Sequence, residues 1–280
     1  MITDLMSVEN DGAKGIVMAK ESPEYIAFGS RLNGVPEVLT LGVKPNFNDY
    51  TQEERRKIHD AEFILYPSLN YAQYFTTMGK RIFPSVETYL YAGQKMKQTT
   101  LFNMLAIPHP KTRVYLQREF DRIEKEFTFP FIAKIPRASS RGRGVFKIAD
   151  SAQLGEYLKK TKFAYIQEYL PHEKDLRVVL INYEPVLAYW RRLPHGDFRT
   201  NLFQGGKIDF ENIPQVVLGL AQDCARKCNF NDVGLDLLQS KGEWYVIEAN
   251  MQYGREGLKK KNMVLKEVIR EKLLAGTLFD

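Results

Sequence analysis

The sequence has few cysteines and no long apolar segment. Cys224 and Cys228 are the only cysteines among 280 residues, which excludes a disulfide framework and a four-cysteine zinc site. With Val217 and Ala221 they follow the spacing of one helix face, so both are predicted to be core thiols. No apolar run reaches about eighteen residues, and the N-terminal stretch shows no basic segment followed by an apolar one. We therefore expect a soluble protein of a reducing cytoplasm with no membrane partner.

The chain also lacks a concentrated block of charge. Lys and Arg number 40 against 34 Asp and Glu, a formal net charge of +6. The one tight run, Lys259 to Lys261, is read as the solvated end of a helix. Because there is no basic stripe with interleaved aromatics, we expect no nucleic-acid partner, and the modest excess favours phosphate or carboxylate ligands.

No glycine-rich dinucleotide motif follows the first predicted strand. Up to residue 92, short apolar runs alternate with polar helical stretches. The predicted strands are 15–19, 37–41, 63–66 and 81–83. The predicted helices are 23–32, 51–61 and 71–78. Thr51 and Glu54 form a capping box at the start of the second of these helices, and the alternation predicts a small Rossmann-like parallel α/β lobe over residues 1–92.

Residues 93–280 are expected to form a second domain with two α+β parts. In residues 93–163, helices and strands surround a glycine-rich loop. In residues 164–280 the predicted strands are mainly antiparallel and end in a hairpin from Gly234 to Asn250. The overall class is therefore α/β, with an α+β second domain.

The C-terminal hairpin brings two carboxylates together. If its loop is Lys241 to Glu243, Asp236 faces Glu248 with Cβ atoms about 5 Å apart, and Asn250 lies on the same face. Two facing carboxylates among apolar neighbours repel unless a cation lies between them, and three oxygen donors suit Mg²⁺. The alternative is a solvated hairpin face paired with lysines.

Cationic side chains near a glycine-rich loop predict an anion site. Lys134 stands among the apolar residues of a predicted strand, so its ammonium either reaches solvent or meets an anion. The loop after it contains Gly142 and Gly144, which let backbone amides approach phosphate, although a plain hairpin turn is the competing reading. Arg177 and Arg191 lie in strand-like stretches and suggest a phosphate or carboxylate clamp, whereas each alone would read as a surface arginine.

Several short motifs occur in a fixed order along the last two thirds of the chain. In order they are Lys97-Gln98-Thr99-Thr100, Pro130 to Lys134, Gln167-Glu168-Tyr169, Asp175-Leu176-Arg177, Phe198-Arg199-Thr200-Asn201 with Gly205-Gly206, Gly234 to Leu238, and Glu248-Ala249-Asn250. This ordered set resembles the ATP-grasp superfamily, and above all its RimK-type branch, the ribosomal-protein-modifying glutamate ligases and their relatives. The resemblance covers about residues 94–274 and implies an ATP-grasp fold, in which two α+β subdomains grip ATP.

The resemblance assigns nucleotide-binding roles to specific positions. Two lysines would hold the ATP phosphates, the glycine-rich loop would cover them, a hinge would read adenine, and an acid would bind the ribose. The positions are, in chain order, Lys97, Lys134, Ser139, Ser140, Gly142, Gly144, Gln167, Glu168, Tyr169, Leu170, Asp175, Arg199 and Asn201. The expected cofactors are therefore ATP and two Mg²⁺ or Mn²⁺ ions, with the metal ligands Asp236, Glu248 and Asn250.

The resemblance also implies a reaction. In that family ATP phosphorylates a carboxylate, and an amine attacks the acyl phosphate to give an amide, ADP and phosphate. Arg177, Arg191 and Arg199 are the candidate catalytic residues that would stabilise the phosphorylated species. The expected substrates are a small carboxylate and an amine, from an amino acid such as glutamate or from a peptide or protein terminus, and relatives suggest a homo-oligomer.

Two departures from the family pattern leave other functions open. Arg141 and Arg143 in the glycine-rich loop would suit a kinase that phosphorylates a small polyanionic polyol. After Asn250, relatives continue with small residues, proline and glycine, whereas this chain has Met251-Gln252-Tyr253. That change leaves the acceptor substrate undetermined and also allows a non-catalytic nucleotide-binding protein.

Overall fold

Three β-sheets with their helices make up the part of the chain that the computed structural model describes, residues 24–135, 144–192 and 207–279. The strands of the first sheet are β1 (Tyr25–Ala27), β2 (Val38–Thr40), β3 (Phe63–Leu65) and β4 (Arg81–Phe83). They are parallel, in the order β2-β1-β3-β4. The helices of this lobe are α1 (Gln52–Asp60), α2 (Leu69–Thr77) and α3 (Val86–Leu90), with 3-10 helices at Ser30–Leu32 and Phe47–Asp49.

The parallel α/β lobe predicted from the sequence is confirmed, with one element misassigned. The capping box forms, since the Glu54 N–H donates to Thr51 Oγ1 at 3.1 Å and the Thr51 N–H donates to Glu54 Oε2 at 2.7 Å. The predicted helix over 23–32 is wrong, because this stretch holds the central strand β1, paired with both β2 and β3. Pairing on two sides and burial of the strand outweigh the helical pattern. The strand predicted at 15–19 lies outside the described residues.

The second sheet is antiparallel, in the order β5-β8-β6-β7. Its strands are β5 (Thr112–Leu116), β6 (Phe131–Lys134), β7 (Val145–Ile148) and β8 (Phe163–Glu168). The associated helices are α4 (Lys95–Met104), α5 (Ile123–Glu126) and α6 (Ser151–Leu158), with a 3-10 helix at Gln117–Arg122. Phe131 and Ala133 point into the core shared with α6. Because side chains alternate along a strand, Lys134 points to the opposite face.

The third sheet is also antiparallel, in the order β11-β10-β9-β12-β13. Its strands are β9 (Lys174–Ile181), β10 (Glu184–Arg192), β11 (Lys207–Asp209), β12 (Asp232–Ser240) and β13 (Glu243–Asn250). The helices of this region are α7 (Gln215–Lys227), α8 (Glu256–Lys260) and α9 (Leu265–Leu274). Val217, Ala221, Cys224 and Cys228 pack on one face of the sheet, so the predicted stripe with two buried free thiols is confirmed. The other face carries the charged residues described below.

The hairpin of β12 and β13 closes differently from the prediction. Its loop is two residues, Lys241 and Gly242, with φ of +52° and +86°. Both positive values match a type I′ hairpin turn, whose twist suits the flanking strands. The three-residue loop predicted from the sequence is therefore wrong.

A β-bulge nevertheless restores the predicted pairing. Leu237 pairs with Val246 and Asp236 with Glu248, so Ile247 is the extra residue. Without the bulge, the two-residue turn would place Ile247 opposite Asp236 and turn Glu248 to the other face. The bulge thus allows Val246 to remain in the core while Glu248 lies beside Asp236.

The C-terminal helix α9 completes the core of the first lobe. Ile269 and Leu273 pack with Ala27, Leu32 and other residues of that lobe. Two hydrogen bonds of 2.8 and 2.6 Å join the Arg270 guanidinium to the Glu37 carboxylate. The first lobe is therefore closed by a helix far away in sequence. No helix within the described ranges is both long and apolar enough to cross a membrane.

Candidate active site

A narrow, polar cleft lies between the second and third sheets, with helix α4 along its side. Its lining residues come from α4, β6, β8 and β13. They are Lys95, Gln98, Thr99, Phe102, Lys134, Tyr165, Ile247 and Glu248. Two cations and one carboxylate therefore face each other among apolar and hydroxyl groups.

Lys134 is the most buried cation of this cleft, with 6% of its surface exposed. No hydrogen bond or ion pair joins its ammonium to another described residue, and the ring centre of Tyr165 lies 5.5 Å away. Burial lowers the pKa of Lys134 to about 8, and attraction to Glu248 offsets only part of that shift. An anionic group bound in the cleft would supply the missing counter-charge.

The structure places Lys95 in the cleft, where the sequence motif had pointed to Lys97. Lys95 forms an ion pair with Glu248, whereas Lys97 is exposed. Residues two apart on a helix point in different directions, so only one of them can face the cleft. Sequence reasoning missed Lys95, although its place one turn before Thr99 and three before Gln98, both cleft residues, was an available signal.

Gln98 fixes α4 to the third sheet. Its amide nitrogen donates to the carbonyls of Ala249 and Tyr91, at 2.8 and 2.9 Å, and its amide oxygen accepts from the Ala249 N–H at 3.1 Å. Only 2% of Gln98 is exposed, and these bonds satisfy both of its polar atoms. Lys95, one turn earlier, is thereby held beside Glu248.

Asp236 lies at the centre of a buried cluster of opposite charges. The Arg177 guanidinium donates through Nε to Asp236 Oδ1 and through Nη2 to Oδ2, the latter at 2.8 Å. Arg191 bridges Asp236, at 3.0 Å, and Asp175, with two bonds of 2.6 Å. Burial would raise the pKa of Asp236, but Arg177 and Arg191 hold it below its ordinary value. Arg177, Arg191 and Asp175, all proposed from the sequence, are thus brought together.

The predicted metal ligands share one face, and their neighbours are cations. Asp236 is 8% exposed, so the solvated hairpin face paired with lysines is wrong for this residue, whose partners are arginines. The Asn250 side chain donates to Asp236 Oδ2 at 3.0 Å, which leaves its carbonyl oxygen on the same face. Among the described residues no three His, Cys, Asp or Glu side chains gather at one point. Two carboxylates and one amide oxygen remain a donor set that a hard divalent cation accepts.

The predicted adenine hinge lies where the chain passes between the second and third sheets. Gln167 is buried and donates to Thr112 Oγ1 at 2.9 Å. Glu168 ends β8, and its carboxylate accepts from the Lys111 N–H at 2.6 Å. The ring of Tyr169 carries the Lys147 ammonium 4.0 Å from its centre, and the carbonyl of Leu170 contacts His172 Nδ1 at 2.8 Å.

Five predicted site residues lie outside the described residues. They are Ser139, Ser140, Gly142, Arg199 and Asn201. Gly144, at the edge of the same glycine-rich loop, has φ of +79° and its carbonyl accepts from the Ile135 N–H at 2.8 Å. Its hydrogen bond continues the β6–β7 pairing by one residue beyond Lys134 and Val145.

The segment that departs from the family pattern turns inward. Met251 and Tyr253 are 7% and 8% exposed, and Met251 joins the core beneath the third sheet. Tyr253 packs with Val179 and Tyr189 on the charged side of the sheet. Of these two large side chains, Tyr253 therefore lies on the face that carries the arginine cluster, and Met251 lies on the opposite face.

These features define a class of protein. Two α+β units enclose a cleft lined by two lysines and one carboxylate, and a parallel lobe precedes them, which is the architecture expected of an ATP-grasp protein. Residues 92–275 match the family profile of the RimK-like ATP-grasp domain. The chain belongs to this family, and the predicted fold and ligase class are confirmed.

Several similar proteins carry the names of glutamate ligases. The chain is 29% identical over 199 residues to the coenzyme gamma-F420-2:alpha-L-glutamate ligase of Methanococcus maripaludis, covering 68% of this chain and 69% of that protein. It is 34% identical over 97 residues to the ribosomal protein bS6–L-glutamate ligase of Escherichia fergusonii, covering 34% of this chain and 32% of that protein.

Solved structures share the fold. The ATP-grasp ligase PsnB in complex with minimal precursor, Mg and ADP has a TM-score of 0.68 at 14% identity, covering 91% of this chain and 99% of that one. The D-alanine–D-alanine ligase of Bacillus anthracis in complex with ATP has a TM-score of 0.61 at 14% identity, covering 89% and 97%.

Proposed function

We propose that this protein is a cytoplasmic ATP-dependent carboxylate–amine ligase that adds an amino acid, with glutamate the first candidate, through an acyl-phosphate intermediate. The observation that carries the proposal is the buried Lys134 ammonium, which no described carboxylate binds by a hydrogen bond or an ion pair and which faces Glu248 of the third sheet across a cleft. Such a group suits the phosphate tail of a nucleotide. The glutamate ligases among the relatives support a reaction that joins an acid to an amine.

In this proposal the phosphate tail of ATP lies along Lys95 and Lys134. Lys134 is already desolvated, so its attraction to a phosphate oxygen is stronger than in water. Lys95 would exchange its bond to Glu248 for a phosphate oxygen and leave that carboxylate free. Neutralising the tail lowers the repulsion that an incoming carboxylate meets at the γ-phosphorus, and positioning provides the rest of the catalysis.

Asp236, Glu248 and Asn250 would hold Mg²⁺, one or two ions, in the same proposal. The bound metal would supply charge neutralisation at the phosphates. For Asp236 to take part, one of its two oxygens must be released by Arg177 or Arg191. The released guanidinium then lies beside the reacting groups, where it can donate to the acyl phosphate and to the tetrahedral species that follows.

Asp175 keeps its proposed role near the ribose only if a ribose hydroxyl donates to its carboxylate, which now accepts from Arg191. The carboxylate has both oxygens on Arg191, so we propose that it also orients this arginine. Arg199 and Asn201 stay proposed phosphate contacts, as do Ser139, Ser140, Gly142 and Gly144 of the covering loop.

ADP release in the presence of Mg²⁺ and a panel of acids and amines tests the proposal. Release that requires both an acid and an amine, with an amide product by mass spectrometry, is the expected result. Release with a phosphorylated polyol alone would assign a kinase, and nucleotide binding without turnover on the panel would assign a binding protein. Asp236→Asn should lower turnover at least about 100-fold. Asp209→Asn, a half-buried carboxylate paired with Arg192 in the same sheet, is the matched control and should change it little.

A further inference from the structure

A second buried charge cluster lies next to the active site and joins the first lobe to the third sheet. The Asp232 carboxylate is 2% exposed and accepts three hydrogen bonds. Arg31 Nη1 donates at 2.8 Å, the Tyr66 hydroxyl at 2.9 Å and the Tyr253 hydroxyl at 2.7 Å. The Arg31 guanidinium also lies 5.1 Å from the ring centre of Tyr66 and 5.8 Å from that of Tyr253.

The first lobe holds its share of this cluster in a specific conformation. Tyr66 directly follows β3 and has φ of +46°, which is rare for a residue other than glycine, asparagine or aspartate. Its N–H and carbonyl are hydrogen-bonded to Phe83 and Gly29. With this backbone the Tyr66 ring packs against Phe83 in the core of the lobe, and its hydroxyl reaches Asp232. Such a conformation persists where surrounding contacts fix it, and it marks a position with a role.

Tyr253 connects this cluster to the arginine of the active site. A Cβ atom placed on Gly234 would lie 2.7 Å from Tyr253 Cβ and 3.1 Å from Arg177 Cδ. The side chains of Tyr253 and Arg177 both lie over Gly234, and a side chain at position 234 would displace one of them. On its other side Arg177 faces Tyr189, its cross-strand partner in β10. Arg177 therefore has Tyr189 as its cross-strand neighbour and shares the space over Gly234 with Tyr253, while its guanidinium binds Asp236.

We infer that Tyr253 is a positioning residue for Arg177, and that the first lobe holds Tyr253 in place through Asp232. The Tyr253 ring limits the positions that the Arg177 side chain can take. The Tyr253 hydroxyl in turn fixes the ring, because it donates to Asp232, which Arg31 and Tyr66 of the first lobe also bind. Gly234 makes this arrangement possible. The positioning of Arg177 by Tyr253 is inferred from geometry alone, whereas the importance of Arg177 for turnover rests on the proposed function.

The Nε–H resonance of Arg177 reports on its position without any substrate. Arg177 Nε and Arg191 Nε both donate to buried carboxylates, so both should give protected NMR signals, and Arg177→Lys identifies the first by its loss. In Tyr253→Ala we expect the Arg177 signal to shift and its hydrogen exchange to accelerate at least about tenfold, with the Arg191 signal unchanged. Tyr253→Phe keeps the ring and should preserve most of the protection.

Kinetics separate positioning from a general structural role. Tyr253→Ala should lower kcat about tenfold while the Kd of Mg·ATP, held mainly by the lysines, stays within about twofold. Tyr253→Phe should restore kcat to within about threefold of the wild type. An Arg177 signal unaltered by Tyr253→Ala overturns the inference, as does a loss of nucleotide affinity and thermal stability with kcat intact. If no acid–amine pair supports turnover, the proposed ligase activity fails, and the NMR experiment still decides the positioning.

Discussion

Four cationic side chains and three carboxylates meet on neighbouring surfaces of the cleft and the third sheet. Lys134 differs from Lys95, Arg177 and Arg191 because the described residues give it no anionic partner within hydrogen-bonding distance. The sequence predicted Lys134 correctly as a cation inside a strand, because its apolar neighbours show the burial. The motif pointed to Lys97 and missed Lys95, although the spacing of Lys95 to Gln98 and Thr99 places it on the cleft side of the helix.

Replacing the two α4 lysines in turn tests which one binds the nucleotide. Lys95→Ala should weaken Mg·ATP binding about 10- to 100-fold, the loss of a charge-assisted hydrogen bond. Lys97→Ala, two residues away on the exposed side, should leave the Kd within about twofold. Calorimetric titration with a non-hydrolysable ATP analogue measures both, and the opposite ranking would return the role to Lys97.

The lowered pKa of Lys134 predicts a pH dependence of nucleotide binding. The free protein loses the Lys134 proton near pH 8, whereas a bound phosphate favours the charged form. Nucleotide binding above pH 8 therefore requires the uptake of a proton. The affinity should decrease above this pH, and the decrease should approach about tenfold per pH unit. Lys134→Met should bind more weakly with no such slope. A wild-type affinity that stays constant from pH 7 to 9.5 would contradict the assignment.

The lowered pKa of Lys134 has the opposite effect on stability, which should increase with pH where nucleotide affinity decreases. The folded-state pKa of about 8 lies below the usual value of 10.5, so between these values the unfolded chain binds more protons than the folded one. The free energy of unfolding should therefore rise with pH through this window as far as Lys134 contributes. Urea titrations of the wild type and of Lys134→Met at pH 7.5 and 9.5 measure the difference, which should be smaller in the variant.

At the scale of elements, the β12–β13 hairpin shows how a correct pairing can follow from a wrong turn. Asp236 and Glu248 face each other because a two-residue turn and a one-residue bulge compensate. The sequence of β13 shows the bulge as a change in the alternation: the core-facing residues are the even-numbered Trp244 and Val246 before it and the odd-numbered Ala249 after it. Such a phase change is ambiguous until the partner strand is known, because a strand end would give the same pattern.

Gln98 offers a test of how α4 is attached to this hairpin. Gln98→Leu removes three hydrogen bonds and leaves the backbone groups of Ala249 unpaired, which should lower the free energy of unfolding by about 1–3 kcal/mol. It should also weaken nucleotide binding, because Lys95 loses its fixed place. Thr100→Ala, on the exposed side of the same helix, is the control. Chemical unfolding and calorimetry measure both effects, and an unchanged Kd would show that the clamp is not needed for the site.

At the scale of the whole molecule, the helix α9 joins regions that the sequence places far apart. The predicted boundary at residue 92 separates the first sheet from the other two. That the two parts are independently folding domains stays a prediction. The apolar pattern of α9 could be read from the sequence, but its partner could not, since any exposed apolar face of the chain would have suited it. The pairing of Arg270 with Glu37 and the packing of Leu273 depend on tertiary contacts alone.

Two adjacent leucines in α9 measure how far the first lobe depends on this helix. Leu273 is 3% exposed and Leu274 is 58% exposed. Leu273→Ala should lower the free energy of unfolding by about 2–4 kcal/mol and reduce hydrogen-exchange protection in β1 and β3. The amides of β6 and β8 should keep their protection, and Leu274→Ala should change little. Uniform loss of protection across all three sheets would mean that the molecule unfolds as one unit.

A lobe completed by α9 also has a consequence for biosynthesis. While the ribosome is still making the middle of the chain, the first sheet has emerged without the surface that covers Ala27 and Leu32. Those side chains stay exposed to water, or to a chaperone, until residues 265–274 have left the exit tunnel. Maturation of the N-terminal part is thereby delayed until nearly all of the catalytic machinery has been translated.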